Sequence, residues 1–313
     1  MPIPSSAAQL VRGFAMGSAD IVPGVSGGTV ALVLGIYERL IGNIHTGASA
    51  LKSLLSGDPS SFVDNVRRVE WGWLLSLLAG ILVAVVSLSA ILEDLLHDHP
   101  VRMGALFFGL VAGSLTVAWR LIRSVGTAEI VAIVVVAVVL FLVLGLRADT
   151  EVAEGTAELV THAWWIFFLS GALAICAMIL PGISGSFILV MIGMYTEVLG
   201  AVNERDVVAL GSTAAGCVVG LALFSTLLVW ALEHRHDLVM ASMVGLMLGS
   251  LRVLWPWPAG TSTTELAAPT GDVAIPVLLA VVGAAVVIGV EMIAVATHEP
   301  ETIDADPSTT ASS

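Results

Sequence analysis

Pro23-Gly24-Val25-Ser26-Gly27-Gly28 returns 158 residues later (181 − 23) as Pro181-Gly182-Ile183-Ser184-Gly185-Ser186. The same offset pairs Gly13 with Gly171, Gly35 with Gly193, Tyr37 with Tyr195 and Gly42 with Gly200, without a gap. A second block matches at an offset of 136 (245 − 109). It pairs Gly80 with Gly216, Gly109 with Gly245, Gly113-Ser114-Leu115 with Gly249-Ser250-Leu251, and Trp119 with Trp255. The chain is therefore a two-fold internal repeat, and self-similarity on this scale sets the architecture. The difference between the offsets, 22 residues (158 − 136), is an insertion in the first half between about residues 46 and 70. Lys52, Arg67 and Arg68 stand there among apolar residues, which predicts one or two amphipathic helices at a membrane surface.

The solvent of this chain is lipid. Of 313 residues, 57% are hydrophobic and 12% charged, with a mean hydropathy of +0.99; a soluble domain carries about 25% charged residues. Apolar runs at 71–92, 103–121, 129–146, 207–232, 238–255 and 273–297 each approach the ~20 residues that a spanning helix needs. The segment around each Pro-Gly motif has a different length. Residues 12–43 are too many for one crossing at about 1.5 Å per residue, and too few for two crossings and a turn. Proline removes a backbone donor and disfavours helix before it. A re-entrant hairpin with its tip at Pro23, and another at Pro181, fits best; a single broken span is the alternative.

Counting then gives topology. A hairpin returns to its own side, and three spans follow it in each half, so the second half starts on the opposite face. The expectation is an all-α integral membrane protein: an inverted repeat, each half a re-entrant helical hairpin plus about three transmembrane helices. Its single membrane domain covers 1–296, with repeat one at 12–147 and repeat two at 164–296. The acidic tail at 297–313 reads as disordered. Positive charge orients it. Arg12, Arg39, Lys52, Arg67, Arg68, Arg120, Arg123 and Arg235 fall on one side, and Arg102, Arg147, Arg205 and Arg252 on the other. This predicts cytoplasmic N- and C-termini. Met1 to Val11 lacks the charged-then-apolar pattern of a removable signal.

The net charge of −13 places acid in loops and tails. It argues against nucleic acid as a partner and is compatible with a high-salt organism. Cys176 and Cys217 lie in apolar segments and read as small buried hydrophobes; neither disulfide nor metal spacing is present. No cofactor is implied. His97, His99, His234 and His236 read as loop residues, and Trp164, Trp165, Trp255 and Trp257 as an interfacial belt. Glu38, Glu197 and Glu291 read as snorkelling near interfaces.

The chemistry expected at the motifs is anion binding. A helix start presents unpaired N–H groups and about half a positive charge. Gly24, Gly27, Gly28, Gly182 and Gly185 let an anion approach the backbone, and Ser26, Thr29, Ser184 and Ser186 add hydroxyls. Two such cradles make a phosphate or carboxylate site without a buried lysine. Paired breaks at corresponding positions also mark transporter binding sites. Tight helix packing through small residues is the competing explanation. Asp20, three residues before Pro23, faces a cavity, pairs, or takes up a proton, because a bare carboxylate at that depth is costly. It is read as a coupling site or as a cap on the tip backbone. Arg12 and Arg39 flank the first hairpin and could draw a lipid phosphate to its mouth.

The run Gly13-Phe14-Ala15-Met16-Gly17-Ser18-Ala19-Asp20-Ile21-Val22-Pro23-Gly24-Val25-Ser26-Gly27-Gly28-Thr29, followed by Leu34-Gly35-Ile36-Tyr37-Glu38, resembles the signature of the PopT-type polyprenyl-phosphate transporters. The resemblance spans about residues 12–296. The second copy departs from the first: Ser186 and Phe187 stand where Gly28 and Thr29 do, and Met178 where Asp20 does. The resemblance implies a flippase returning a polyprenyl monophosphate, undecaprenyl or dolichyl phosphate, across the cytoplasmic membrane for reuse. Its partners would be that lipid-linked phosphate and membrane lipid, and a homo-oligomer is compatible with it. An enzymatic alternative is a membrane polyprenyl-diphosphate phosphatase. That family's Pro-Gly-x-Ser tip continues with an arginine, where this chain has Gly27 and Gly185, and no acidic pair four apart stands near the first hairpin. A carrier of a small soluble anion is the other alternative.

Overall fold

The computed structural model describes residues 5–22, 25–145, 163–260 and 265–297. The described residues form twelve helices and no strand. In chain order these are α1 (Ser5–Asp20), α2 (Gly27–Val33), α3 (Tyr37–Leu55), α4 (Pro59–Arg68), α5 (Trp71–Asp98), α6 (Pro100–Arg120), α7 (Thr127–Gly145), α8 (Trp164–Ile179), α9 (Gly185–Met191), α10 (Tyr195–Glu204), α11 (Val207–Ser250) and α12 (Ala274–Thr297). Five are long and apolar enough to cross a membrane: α5, α6, α7, α11 and α12.

The six apolar runs account for these five because α11 holds two of them. Its 44 residues are interrupted at Arg235, whose φ of −144° and ψ of 47° are not helical. The charged stretch Glu233-His234-Arg235-His236-Asp237 separates the two parts. Three histidines read as loop residues are thus helical: His97 in α5, His234 and His236 beside this kink. The second part of α11 also ends at Ser250, short of residue 255, and turns follow. In the 46–70 insertion, the chain first prolongs α3 to Leu55 and then forms α4.

Each Pro-Gly segment interrupts the helix, and so does a glycine just after it. Helices α2 and α9 have seven residues each, and their bounds differ by the repeat offset of 158. Gly35 and Gly193 then adopt φ of +67° and +71°, a left-handed conformation that glycine takes without steric penalty. Helices α9 and α10 are bent by 107° at that point.

Packing repeats with the same offsets. A Cβ on Gly13 would fall 2.0 Å from the Leu77 carbonyl oxygen, and one on Gly171 2.2 Å from that of Thr213. Likewise a Cβ on Gly80 would meet the Leu10 oxygen at 2.1 Å, and one on Gly216 the Phe168 oxygen at 1.9 Å. Helix α1 therefore lies against α5 as α8 lies against α11, backbone to backbone. The third span of each half is exchanged. Gly109 and Gly113 of α6 seat Ala280 and Ala284 of α12, whereas Gly245 and Gly249 of α11 seat Ile133 and Ala137 of α7. Each half thus closes on the last helix of the other.

Contacts also fix the two ends of the bundle. Asp237, just past the α11 kink, accepts hydrogen bonds from the amides of Arg123 and Ser124 after α6, and Glu38 at the start of α3 meets His236. Arg39 pairs with Glu70 before α5. At the other end, Gly260 abuts Gly104 near the start of α6, and Trp255 stacks edge-on with Phe108. The 21 residues of α6 separate these ends by about 30 Å at 1.5 Å per residue. Arg39, Arg67, Arg68, Arg120, Arg123 and Arg235 gather at the first end; Arg102, Arg205 and Arg252 lie at the second.

Gly216→Leu is expected to lower stability by more than the ~1–3 kcal/mol typical of overpacking, because the clash is with backbone. Gly211→Ala, which meets nothing within 4 Å, should be neutral or slightly stabilising; thermal unfolding in detergent measures both. Asp58 caps α4, accepting from the Ser61 amide and from the Ser60 and Ser61 hydroxyls, and these bonds push its pKa down to about 2. A carboxylate depressed in the folded state stabilises above its unfolded value, near 3.8, and loses that contribution as pH falls through the folded one. Amide protection in α4 should therefore survive to about pH 2 in the native protein and be weakened at neutral pH in Asp58→Ala, by hydrogen exchange.

Candidate functional site

The two broken segments meet inside the bundle. The Ser26 hydroxyl lies within hydrogen-bond reach of the Met178 and Leu180 carbonyls, at 3.4 and 3.3 Å, as those carbonyls leave α8. Thr29 Oγ1 accepts from the Gly182 amide at 3.0 Å. The Tyr37 hydroxyl donates to the Ile179 carbonyl at 3.2 Å. All three donors or acceptors from the first half are buried: Ser26 is 1% exposed, Thr29 2% and Tyr37 3%. These bonds supply the backbone groups that the second Pro-Gly break leaves without helical partners.

The first break is closed locally. Asp20 Oδ1 accepts from the Gly27 amide at 2.6 Å, and Ser26 Oγ accepts from the Gly28 amide at 3.1 Å. A Cβ on Gly27 would fall 2.5 Å from Asp20 Oδ2, so a side chain there would displace the Asp20 carboxyl group from the Gly27 amide. Asp20 therefore caps the start of α2 and fills the space beside residue 27.

The sequence-predicted residues fall into distinct groups. Asp20, Ser26, Gly27, Gly28, Thr29, Pro181 and Gly182 come together at the meeting point. Gly182 has φ +85°, and a Cβ on it would press on Met247 at 3.0 Å. Ser184 and Ser186 bond to one another at 2.7 Å, and Ser186 is exposed. Gly185 is buried against α8. The first copy spends its hydroxyls internally, while the second keeps a hydroxyl outward. Pro23 and Gly24 lie outside the described residues. Among the described residues, Arg12 reaches only Gln9, at 3.3 Å.

Arg39 is placed at the first end. It donates to Glu70 at 3.1 and 3.2 Å and lies over the Trp73 ring at 4.8 Å. Those bonds from Arg39 hold Glu70 below the usual carboxylate range. Asn43 locks the pair, donating to Glu70 Oε1 and accepting from the Glu70 amide at 2.8 Å. A cavity of about 420 Å³ opens here, lined by Ser6, Gln9, Arg39, Glu70, Trp71 and Trp73. A second cavity, about 300 Å³ and apolar, runs from Val25 and Thr29 between α1, α2, α6 and α12.

Two features escaped the sequence reading. Glu291 does not snorkel: it is 7% exposed, and its Oε1 accepts from Arg120 across α12 and α6 at 3.1 Å. The Thr29–Gly182 bond joins residues 153 apart that are not repeat equivalents; only the polarity of Thr29 in an apolar run hinted at it. Among the described residues no cluster of His, Cys, Asp or Glu could hold a metal ion.

Residues 16–270 match the VCA0040-like family model, described as undecaprenyl phosphate translocase-like. A polyprenyl-phosphate transporter of Vibrio cholerae serotype O1 is 38% identical over 251 residues, covering 79% of this chain and 77% of the relative. A polyprenyl-phosphate transporter of Staphylococcus aureus is 30% identical over 256 residues, covering 79% and 85%. No solved structure matches.

Thr29→Val keeps shape and removes the acceptor for the Gly182 amide. It is expected to cost ~1–3 kcal/mol, the penalty of an orphaned buried donor, while Thr29→Ser retains most of the stability. Chemical or thermal unfolding of the two variants in detergent decides this.

Proposed function

The chain belongs to the undecaprenyl phosphate translocase-like family, and we propose that it moves a polyprenyl monophosphate between the leaflets of the cytoplasmic membrane, with both Pro-Gly breaks forming the head-group path. The observation that carries the mechanism is the junction itself: two interrupted helices, one from each half, joined by Ser26 and Thr29. Broken backbone at depth is tolerated where it is buried in protein or lines a polar path.

The segments are read as re-entrant hairpins of an inverted repeat. Two sets of contacts support this. Helix α1 begins beside Trp71 and Arg39 at the first end, and α3 starts at that end again with Glu38 and Arg39. Helix α8 advances with α11 as α1 does with α5, and α11 starts at the end opposite its kink. The first end, richer in arginine, is assigned to the cytoplasm by the positive-inside rule, together with both termini.

In this reading the structure is a closed state. The Gly27 amide already holds a carboxylate oxygen, so its direction suits an anion. An arriving phosphate competes with Asp20 for that amide, and the first-copy bonds to the second must open to admit it. Gly24, Gly28, Ser184, Gly185 and Ser186 are proposed to complete the cradle, and Arg12 and Arg39 to gather the lipid at its mouth. The isoprenoid tail stays in lipid, so only the head group needs polar partners. Hydrolysis finds less support: Gly27 and Gly185 stand where the phosphatase motif carries its arginine.

Proteoliposomes holding a labelled polyprenyl monophosphate test this through head-group exposure on each leaflet. Wild type should equilibrate the leaflets well above empty liposomes. Ser26→Ala and Ser184→Ala should slow it about tenfold, the value of one lost charge-assisted hydrogen bond. Wild-type rates equal to empty liposomes would refute the proposal. Phosphate release from a lipid diphosphate would favour the phosphatase, and sulfate or phosphate uptake without lipid substrate the small-anion carrier.

A further inference from the structure

At the second end of the bundle, Arg252 sits in the turn after α11 without an acidic partner among the described residues. Two more exposed arginines are neutralised, Arg39 by Glu70 and Arg120 by Glu291. Arg252 is nonetheless fixed. Its guanidinium lies over the Phe141 ring at 4.6 Å. It also lies close over Gly145, where a Cβ would fall 2.7 Å from Cζ. Its Nε is buried and has no hydrogen-bond acceptor. The nearby carboxyl end of α7 favours a cation through its dipole, yet no carbonyl there takes a hydrogen bond from Arg252.

Beside this guanidinium is a cavity of about 290 Å³, lined by Phe108, Phe141, Leu248, Arg252, Trp255 and Leu266. The Trp255 indole N–H is already used by the Ala267 carbonyl, leaving Arg252 as the cavity's free polar group among the described residues. A planar, weakly hydrated guanidinium with unspent donors suits a phosphate. The aromatic and leucine walls do not suit a free hydrated ion. They suit a phosphate with hydrocarbon attached to it.

We propose that this pocket is a docking site for a prenyl monophosphate at the end of the bundle opposite Arg39, its phosphate on Arg252 and its first isoprene unit against Phe108, Leu248 and Leu266. The proposal rests on the transport reading above and adds to it a waiting station on the far leaflet. Arg252 follows the second part of α11, about 24 Å at 1.5 Å per residue from His236, which meets Glu38 beside Arg39, so the two arginines stand towards opposite ends of the bundle.

The test uses the full chain in nanodiscs and farnesyl phosphate carrying a photoreactive diazirine on its first isoprene unit. Saturable labelling of peptides containing 141–145 and 248–255 is expected. Unlabelled farnesyl phosphate should compete; farnesol, inorganic phosphate and phosphatidylglycerol should not. R252Q should raise the half-saturating concentration about tenfold through the lost charge-assisted bonds, with R252K recovering part of it. A purely structural arginine would move the thermal midpoint and leave labelling per folded protein unchanged, which overturns the proposal. So does equal competition by phosphatidylglycerol, which marks an ordinary belt arginine, or by inorganic phosphate. If R252Q does not fold, F141L reports instead, with the same expected loss and unchanged labelling again refuting the site. Wild-type transport with labelling confined to 20–29 and 181–186 sinks this site alone. Absence of both labelling and transport sinks the transport reading with it.

Discussion

A backbone amide that leaves a helix inside a membrane protein has no water to turn to. This chain interrupts its helices at both Pro-Gly motifs inside the packed bundle, and the buried hydroxyls of Ser26, Thr29 and Tyr37 are arranged around that debt of hydrogen bonds. The first break is satisfied from its own half, by Asp20 and Ser26. The second is satisfied from the other half, by Thr29, Ser26 and Tyr37. Each such buried donor or acceptor left alone would cost ~1–3 kcal/mol. That cost, more than the attraction of any single bond, holds the two halves in register. It also confines movement: the breaks separate only if something else, water or an anion, takes over their partners.

Around this junction the packing is nearly featureless chemically, and glycine gives it shape. Lipid tails are as apolar as leucine, so helices associate here through close contact. The approach of α5 to α1 and of α11 to α8 at Gly13, Gly80, Gly171 and Gly216 leaves no room for a Cβ. These two rigid pairs carry the breaks on their inner ends. The exchange of α7 and α12 then ties the pairs together, since each half's last helix is seated on glycines of the other half. A rearrangement at the junction therefore involves both halves at once.

Much of this was legible in the sequence because repetition encodes it. The offsets of 158 and 136 locate the paired breaks, the paired glycines and the matching bounds of α2 and α9. Apolar length located the spans, and the charged cluster at 233–237 marked the division that became a kink within α11. What repetition cannot encode is what differs between copies. Thr29 has Phe187 as its counterpart and Asp20 has Met178, so no symmetry argument reaches their bonds. The exchange of α7 and α12 was equally hidden, because the glycine stripes on α6 and α11 state that a close partner exists and not which helix it is. Glu291 misled for a related reason: its position near the end of an apolar run suggested solvent, and only the three-dimensional approach of Arg120 explains its burial.

The asymmetry between copies also orders the chemistry. A path that served both leaflets equally would expose similar groups at both breaks. Instead the first copy is sealed, with Ser26 and Thr29 buried and committed, and the second leaves Ser186 exposed beside Ser184. The arginines follow the same division: Arg39 at the first end is neutralised by Glu70 and clamped by Asn43, whereas Arg252 at the second has, among the described residues, no acceptor for its Nε. On the transport reading, an anion from the second end meets the exposed Ser186 hydroxyl, which is bonded only to Ser184 among the described residues, and one from the first must displace a carboxyl group. On the transport reading, Asp20 at the Gly27 amide keeps the first break closed, and the second copy, with Met178 in that place, is the one that first receives the head group.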